Sequence, residues 1–130
     1  MSKIIITFGT YDLFHIGHLR ILERASKLGD RLVVGVSSDE LSNFKKGSYP
    51  TYNQQDRMQI VAAIRCVDEV FLEESLEEKG DYINRFNADT LVMGDDWLGK
   101  FDHYSNITKV VYLKRTRGIS TSYFKQQIRS

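Results

Sequence analysis

The sequence predicts an α/β domain built on a doubly wound parallel sheet, and three observations lead there. Short aliphatic runs alternate with stretches of helical spacing over 130 residues, with no internal repeat and no linker. The runs are continuously apolar, as in Leu32-Val33-Val34-Gly35-Val36, which suits strands covered on both faces. The first run also feeds directly into a small-residue turn and a helix start, Thr7-Phe8-Gly9-Thr10-Tyr11-Asp12-Leu13-Phe14-His15-Ile16-Gly17-His18. In such folds a strand, a turn and a helix start in that order form a phosphate site.

The first predicted strand covers residues 4–8. A helix follows over 19–28, with Leu19, Leu22, Ala25 and Ser26 at helical spacing and Gly29 as its stop. Residues 31–36 form a second strand. Ser37-Ser38-Asp39-Glu40 opens a short helical or irregular piece, and residues 44–52 read as a polar loop holding the only proline, Lys45, Lys46 and Gly47. Asn53 caps a helix reaching about Ile64. A third strand at 67–72, a helix at 77–86, strands at 90–94 and 109–113 and a last helix at 122–128 complete the series. The residues just after the strands, among them His15, Lys46, Asp96 and Ser120, should meet at the carboxyl edge of the sheet.

Composition narrows the function. The chain is long enough for one domain with a real core. A net charge of +1 argues against broad nucleic-acid binding, although a small anion needs only local positive charge. A single cysteine, Cys66, excludes an internal disulfide and a multi-cysteine zinc site, and its apolar neighbours suggest a buried, inert thiol. No apolar run approaches the ~20 residues of a membrane span. The opening Met-Ser-Lys-Ile-Ile-Ile passes straight into a strand, without the pattern of a signal peptide, so a reducing cytoplasm is expected.

Two segments carry the chemistry. His15 and His18 stand three apart at a helix start and can donate to one anion. Arg115-Thr116-Arg117-Gly118-Ile119-Ser120-Thr121-Ser122 combines a guanidinium, hydroxyls and backbone N–H groups ahead of a helix, a phosphate-binding set. Read singly, the first could be ordinary histidines near a cap and the second a capping sequence. Together they favour a polyphosphate site. Between them lies Met93-Gly94-Asp95-Asp96-Trp97.

These motifs and their spacing resemble those of the bacterial glycerol-3-phosphate cytidylyltransferases, a branch of the HxGH nucleotidyltransferases, over essentially the whole chain. The resemblance implies a Rossmann-like fold. It also implies transfer of CMP from CTP to an alcohol phosphate, with Mg²⁺ arriving on CTP, in a homodimer that supplies activated glycerol for a cell-surface polymer such as teichoic acid or capsule. An alcohol phosphate is already a nucleophile, so charge stabilisation and in-line positioning are what the chain must provide. His15 and His18 would act at the α-phosphate. Arg115, Ser120 and Thr121 would hold the leaving pyrophosphate, helped by Thr116, Gly118, Ile119 and Ser122. Thr10, Tyr11 and Gly17 would bring backbone groups to the nucleotide, and Gly94, Asp96 and Trp97 would hold cytosine and ribose. The family's acceptor-contacting loop lysine falls on Lys45 or Lys46, with Lys46 favoured, and a second on Lys79. Asp12 would orient the loop or add to the metal shell, without a dedicated protein metal cage. Arg65, in Ile64-Arg65-Cys66-Val67-Asp68-Glu69-Val70, is expected near the site or the dimer contact. His103 reads as a surface histidine.

Three positions depart from the family's pattern: Ile16 and Leu76 where aromatics are usual, and Arg117 where Glu is usual. Leucine cages a quaternary ammonium poorly, so choline phosphate is disfavoured and a compact anionic acceptor favoured. Two alternatives stay open: cytidylyl or adenylyl transfer to another alcohol or sugar phosphate, and a non-catalytic nucleotide-binding module.

Overall fold

The computed structural model describes residues 2–115 and residue 128. Over them the chain runs β1 (Ile4–Gly9), α1 (Ile16–Ser26), β2 (Arg31–Ser37), α2 (Asp39–Lys46), α3 (Gln54–Ala62), β3 (Glu69–Glu73), α4 (Lys79–Arg85), β4 (Thr90–Gly94) and β5 (Lys109–Leu113). Short 3₁₀ turns at Asp95–Trp97 and Asp102–Asn106 join β4 to β5. The five strands form one sheet, all parallel, in the order β3-β2-β1-β4-β5. The predicted helix at 122–128 lies outside the described residues, apart from residue 128.

The continuous aliphatic strands are two-faced, as their sequences require. Ile5, Leu32, Val34 and Val92 pack with Leu22 and Ala25 of α1 and Val61 of α3. Their strand neighbours Ile6, Val33, Leu91 and Met93 pack on the opposite side with Tyr82 and Ile83 of α4 and with Phe101. Alternate residues thus feed two separate cores, the meaning of a run that never alternates in polarity.

Two boundaries differ from expectation for local reasons. Helix α1 begins at Ile16, before the first helical apolar position, because His15 serves as its N-cap. The stretch from Phe44 to Lys46, expected as loop, is the last part of α2. Ser38 caps that helix by accepting from the Leu41 N–H at 3.0 Å. Asp39 and Glu40 lie in its first turn and Lys45 and Lys46 in its last, matching the helix dipole. Gly47 ends it in the left-handed region, φ 76°, where glycine carries no Cβ penalty.

Helix α3 holds Arg57, whose side chain is wholly buried. Its Nε donates to the Tyr52 carbonyl at 2.9 Å. Its Nη1 donates to the carbonyls of Thr10 and Ser37, each at 2.8 Å, and its Nη2 to Asp39 Oδ1 at 2.7 Å. One guanidinium therefore ties the ends of β1 and β2 to the segment before α3. Arg57→Met would leave these acceptors unpaired in the interior. It should cost about 3–5 kcal/mol, the range for removing one partner of a buried pair. Urea unfolding measures this, and a loss under about 1 kcal/mol would contradict the role.

Candidate active site

The site follows from where the two central strands part. β1 pairs with β2 as far as Gly9↔Val36, but with β4 only as far as Thr7↔Val92. At the last shared position, Thr7 Oγ1 donates to the Val92 carbonyl at 2.6 Å. Beyond it the strands diverge, at the point where strand order reverses and open α/β sheets bind ligands. Two cavities of about 330 Å³ each open there. Phe8, Gly9, Thr10, Lys46, Met93, Asp96 and Trp97 line both.

His15 and His18 line the first cavity. His15 Nδ1 accepts from the Gly17 N–H at 3.1 Å, and His18 Nδ1 accepts from the His15 N–H at 3.2 Å. This is a capping box made of imidazoles, in place of the usual Ser or Thr with Glu. The rings stack with centroids 3.8 Å apart. Because each Nδ1 spends its lone pair on a backbone N–H, each ring proton is placed on Nε2. Burial, then the neighbouring His15 and Lys46, lowers His18 to about 3. Burial and the Arg115 charge lower His15 as well. The site thus presents two neutral imidazoles, each with an Nε2–H.

The turn that delivers them is constrained. Tyr11 and Leu13 have φ of 56° and 48°, in the left-handed region that non-glycine residues seldom enter. The buried Tyr11 ring lies against Gly9, where a Cβ would come within 2.8 Å of the ring, so the approach needs glycine. Burial raises the Tyr11 phenol, which hydrogen-bonds Thr7. Asp12 is also buried. Its Oδ1 accepts from the N–H groups of Leu13 and Tyr52, and its Oδ2 from Thr51 at 2.8 Å. Both carboxylate oxygens thus hold backbone, which fits the loop-orienting alternative.

Around the histidines, Arg24, Lys46, Lys114 and Arg115 face the first cavity together with Asp12 and Asp96, an excess of positive charge suited to a polyanion. Arg115 Nη1 is 3.9 Å from Asp96 Oδ2. Gly17, Gly94 and Trp97 complete the wall. Thr116, Arg117, Gly118, Ile119, Ser120, Thr121 and Ser122 lie outside the described residues. Arg65 is not brought to either cavity: α3 ends at Ala62, and the apolar run breaks in an exposed turn where the guanidinium meets solvent. His103 is exposed, and its ring lies 4.1 Å from that of Tyr104. Cys66 is half-buried, and burial raises its thiol.

At the second cavity Lys45 and Lys79, both named from the sequence, meet Glu73 and Ser37, which sequence reading missed. Lys79 Nζ bonds Glu73 Oε2 at 2.8 Å, Ser37 Oγ donates to Glu73 Oε1 at 3.2 Å, and Lys45 Nζ donates to Ser37 Oγ at 2.8 Å. Lys79 and Glu73 are almost wholly buried. Burial pulls Lys45 down to about 8 against the upward pull of Glu73. It lowers Lys79 too, again opposed by Glu73. Ser37 and Glu73 end β2 and β3, so the carboxyl-edge rule could have found them. Arg24 gave no such signal, because its place on the cavity depends on the rotation of α1.

Comparison with known proteins agrees with this geometry. The cytidylyltransferase-like family model matches residues 6–127. The chain belongs to that family. This cytidylyltransferase-like chain is 48% identical over 126 residues to a protein named glycerol-3-phosphate cytidylyltransferase from Bacillus subtilis (strain 168), covering 97% of both. Its identity to the protein of that name from Staphylococcus aureus (strain NCTC 8325 / PS 47) is 45% over 127 residues, covering 97% of this chain and 95% of the relative. The crystal structure of a lipopolysaccharide core biosynthesis protein from Thermoplasma volcanium GSS1 matches with TM-score 0.80 at 23% identity, covering 89% of this chain and 99% of that one. That likeness shows the shared fold. Among the described residues no helix is long and apolar enough to cross a membrane, and no three His, Cys, Asp or Glu side chains group as metal ligands.

The neutral histidines predict a pH dependence. The native state keeps His18 unprotonated far below the ordinary 6.5, so the unfolded chain takes up protons that the native state refuses. Stability should therefore be full above about pH 6.5 and fall as pH drops below it. Urea midpoints between pH 7 and pH 5 should decline in the wild type and decline less in His18→Asn. Equal slopes would contradict the assignment.

Proposed function

We propose that this cytidylyltransferase-like chain transfers CMP from CTP to glycerol 3-phosphate, forming CDP-glycerol and pyrophosphate. The observation that carries the reading is 45% to 48% identity, over nearly the whole length of both chains, to proteins named for that reaction, on a chain whose paired histidines line a cationic cleft. The acceptor's phosphate oxygen attacks the α-phosphorus of CTP in line. The new bond is from that oxygen to the α-phosphorus. The bond from the α-phosphorus to the bridging oxygen breaks, and pyrophosphate leaves with the electron pair.

In this reading, the Nε2–H groups of His15 and His18 donate to the α-phosphate and bridging oxygens as charge builds there. Fixed donors cost no reorganisation at that moment. Arg115, with Ser120 and Thr121 of the same motif, holds the β- and γ-phosphates. Asp96 and Trp97 face cytosine and ribose. The acceptor takes the second cavity, its phosphate drawn by Lys45 and Lys46 from the end of α2. When bound with CTP, a magnesium ion would supply charge neutralisation on the phosphates. The chain acts in the cytoplasm as a C₂ homodimer, with the exposed turn bearing Arg65 serving the subunit contact.

The test is pyrophosphate release from CTP with glycerol 3-phosphate. His15→Ala and His18→Ala should each lower kcat by about 10²-fold or more, the scale for losing one preorganised donor, with a smaller change in CTP affinity. Near-normal turnover in either variant would overturn the assigned role. Equal turnover with ATP would overturn the base-recognition role of Asp96 and Trp97.

A further inference from the structure

The second cavity has the walls of a cation cage. Phe8, Phe101 and Trp97 give it aromatic surface, and the buried Glu73 carboxylate gives it negative charge. Aromatic faces beside a carboxylate are the chemistry that retains an ammonium ion. An ammonium already occupies the cage, and it belongs to the chain. Lys79 Nζ lies 3.6 Å from the centroid of the Phe8 ring, 5.1 Å from that of Phe101 and 2.8 Å from Glu73 Oε2.

The arrangement cannot yield easily to a cationic ligand. The Lys79 side chain is 2% exposed and that of Glu73 1% exposed, so separating them would leave charges unpaired in a dry site. A second ammonium entering beside Lys79 would share one carboxylate between two cations, with Lys45 close by on Ser37. An uncharged hydroxyl meets no such repulsion. It can donate to Glu73 or accept from the Lys45 ammonium.

We propose that Lys79 is a specificity residue for the alcohol part of the acceptor: its ammonium fills the cage formed by Phe8, Phe101 and Glu73, so the site rejects phosphorylated amino alcohols and admits phosphorylated polyols. This rests on the cytidylyl-transfer reading above. It assigns the acceptor contact that family resemblance implies for Lys79 to the alcohol part, because Glu73 already engages its ammonium. Lys45 and Lys46 then hold the phosphate. It also supplies a determinant independent of Leu76.

The experiment measures CDP-alcohol formation with glycerol 3-phosphate, ethanolamine phosphate and choline phosphate, each alone and in competition. In the wild type neither amino-alcohol phosphate should be turned over, and neither should inhibit at about 10² times the KM for glycerol 3-phosphate. Lys79→Met removes the charge, keeps the bulk and leaves Glu73 facing the cage. The ratio of kcat/KM for ethanolamine or choline phosphate to that for glycerol 3-phosphate should rise by about 10²-fold. If that variant does not fold, Lys79→Met/Glu73→Gln leaves no lone buried charge and should still raise the ratio by about tenfold. An unchanged ratio in a folded variant, or wild-type inhibition by ethanolamine phosphate near the glycerol 3-phosphate KM, would overturn the role of Lys79 while CDP-glycerol formation stood. No CDP-alcohol from any acceptor would overturn the transfer reading itself, and the inference with it.

Discussion

The buried guanidinium of Arg57 is the constraint on which the cleft depends. Its donors reach carbonyls at the ends of β1 and β2, the Tyr52 carbonyl and the Asp39 carboxylate, from a side chain with no exposed surface. Asp12 answers from the β1–α1 turn, accepting from the N–H groups of Thr51 and Tyr52. The peptide groups around Tyr52 are thus gripped from both sides, the carbonyl by a cation and the N–H by an anion. Lysine could not replace this arginine, because a single ammonium lacks the planar fork that reaches several acceptors at once. Loops that would otherwise move separately become one wall.

That wall lets a strained turn persist. Tyr11 and Leu13 sit in left-handed conformations that cost energy unless their surroundings hold them. Here the Thr10 carbonyl is held by Arg57, the Asp12 carboxylate by three backbone donors, and the Tyr11 ring by its contact with Gly9. The turn ends on His15, whose ring caps α1 and stacks on His18. Strain, cap and stack together fix two imidazoles in one tautomer. A polyphosphate site gains from this arrangement because the donors are oriented before the ligand arrives.

The sheet was legible because every strand carries at least three consecutive apolar residues, which sufficed to place all five. The histidine pair was legible as a motif, yet its capping geometry was not. Imidazole caps are outside the usual Ser, Thr, Asp and Asn set, so α1 appeared to start too late. Only the end of α2 was hidden: the short helical or irregular piece expected from Ser37 onward continues through Phe44, Lys45 and Lys46, which just before Gly47 look like loop. Arg57 was invisible for a related reason: in Gln-Gln-Asp-Arg-Met it reads as a solvated helix charge, and only the fold shows that it faces inward. Arg65, expected near the site or the dimer contact, lies away from both cavities. The helix ends at Ala62, before it, and its side chain is exposed. Strand ends point to Ser37 and Glu73, but their contact with Lys79 arises from the convergence of β2, β3 and α4, which spacing along the chain does not encode.

The central claim is that the fold holds His15 and His18 as neutral, Nε2-protonated donors. Nitrogen-15 NMR of the imidazoles in the ligand-free protein, titrated from pH 8 to pH 5, tests it most directly. The account predicts the Nε2–H tautomer for both rings at neutral pH, with His18 remaining unprotonated at pH 5. An Nδ1–H tautomer in either ring, or a His18 imidazolium already formed near pH 6.5, would contradict it.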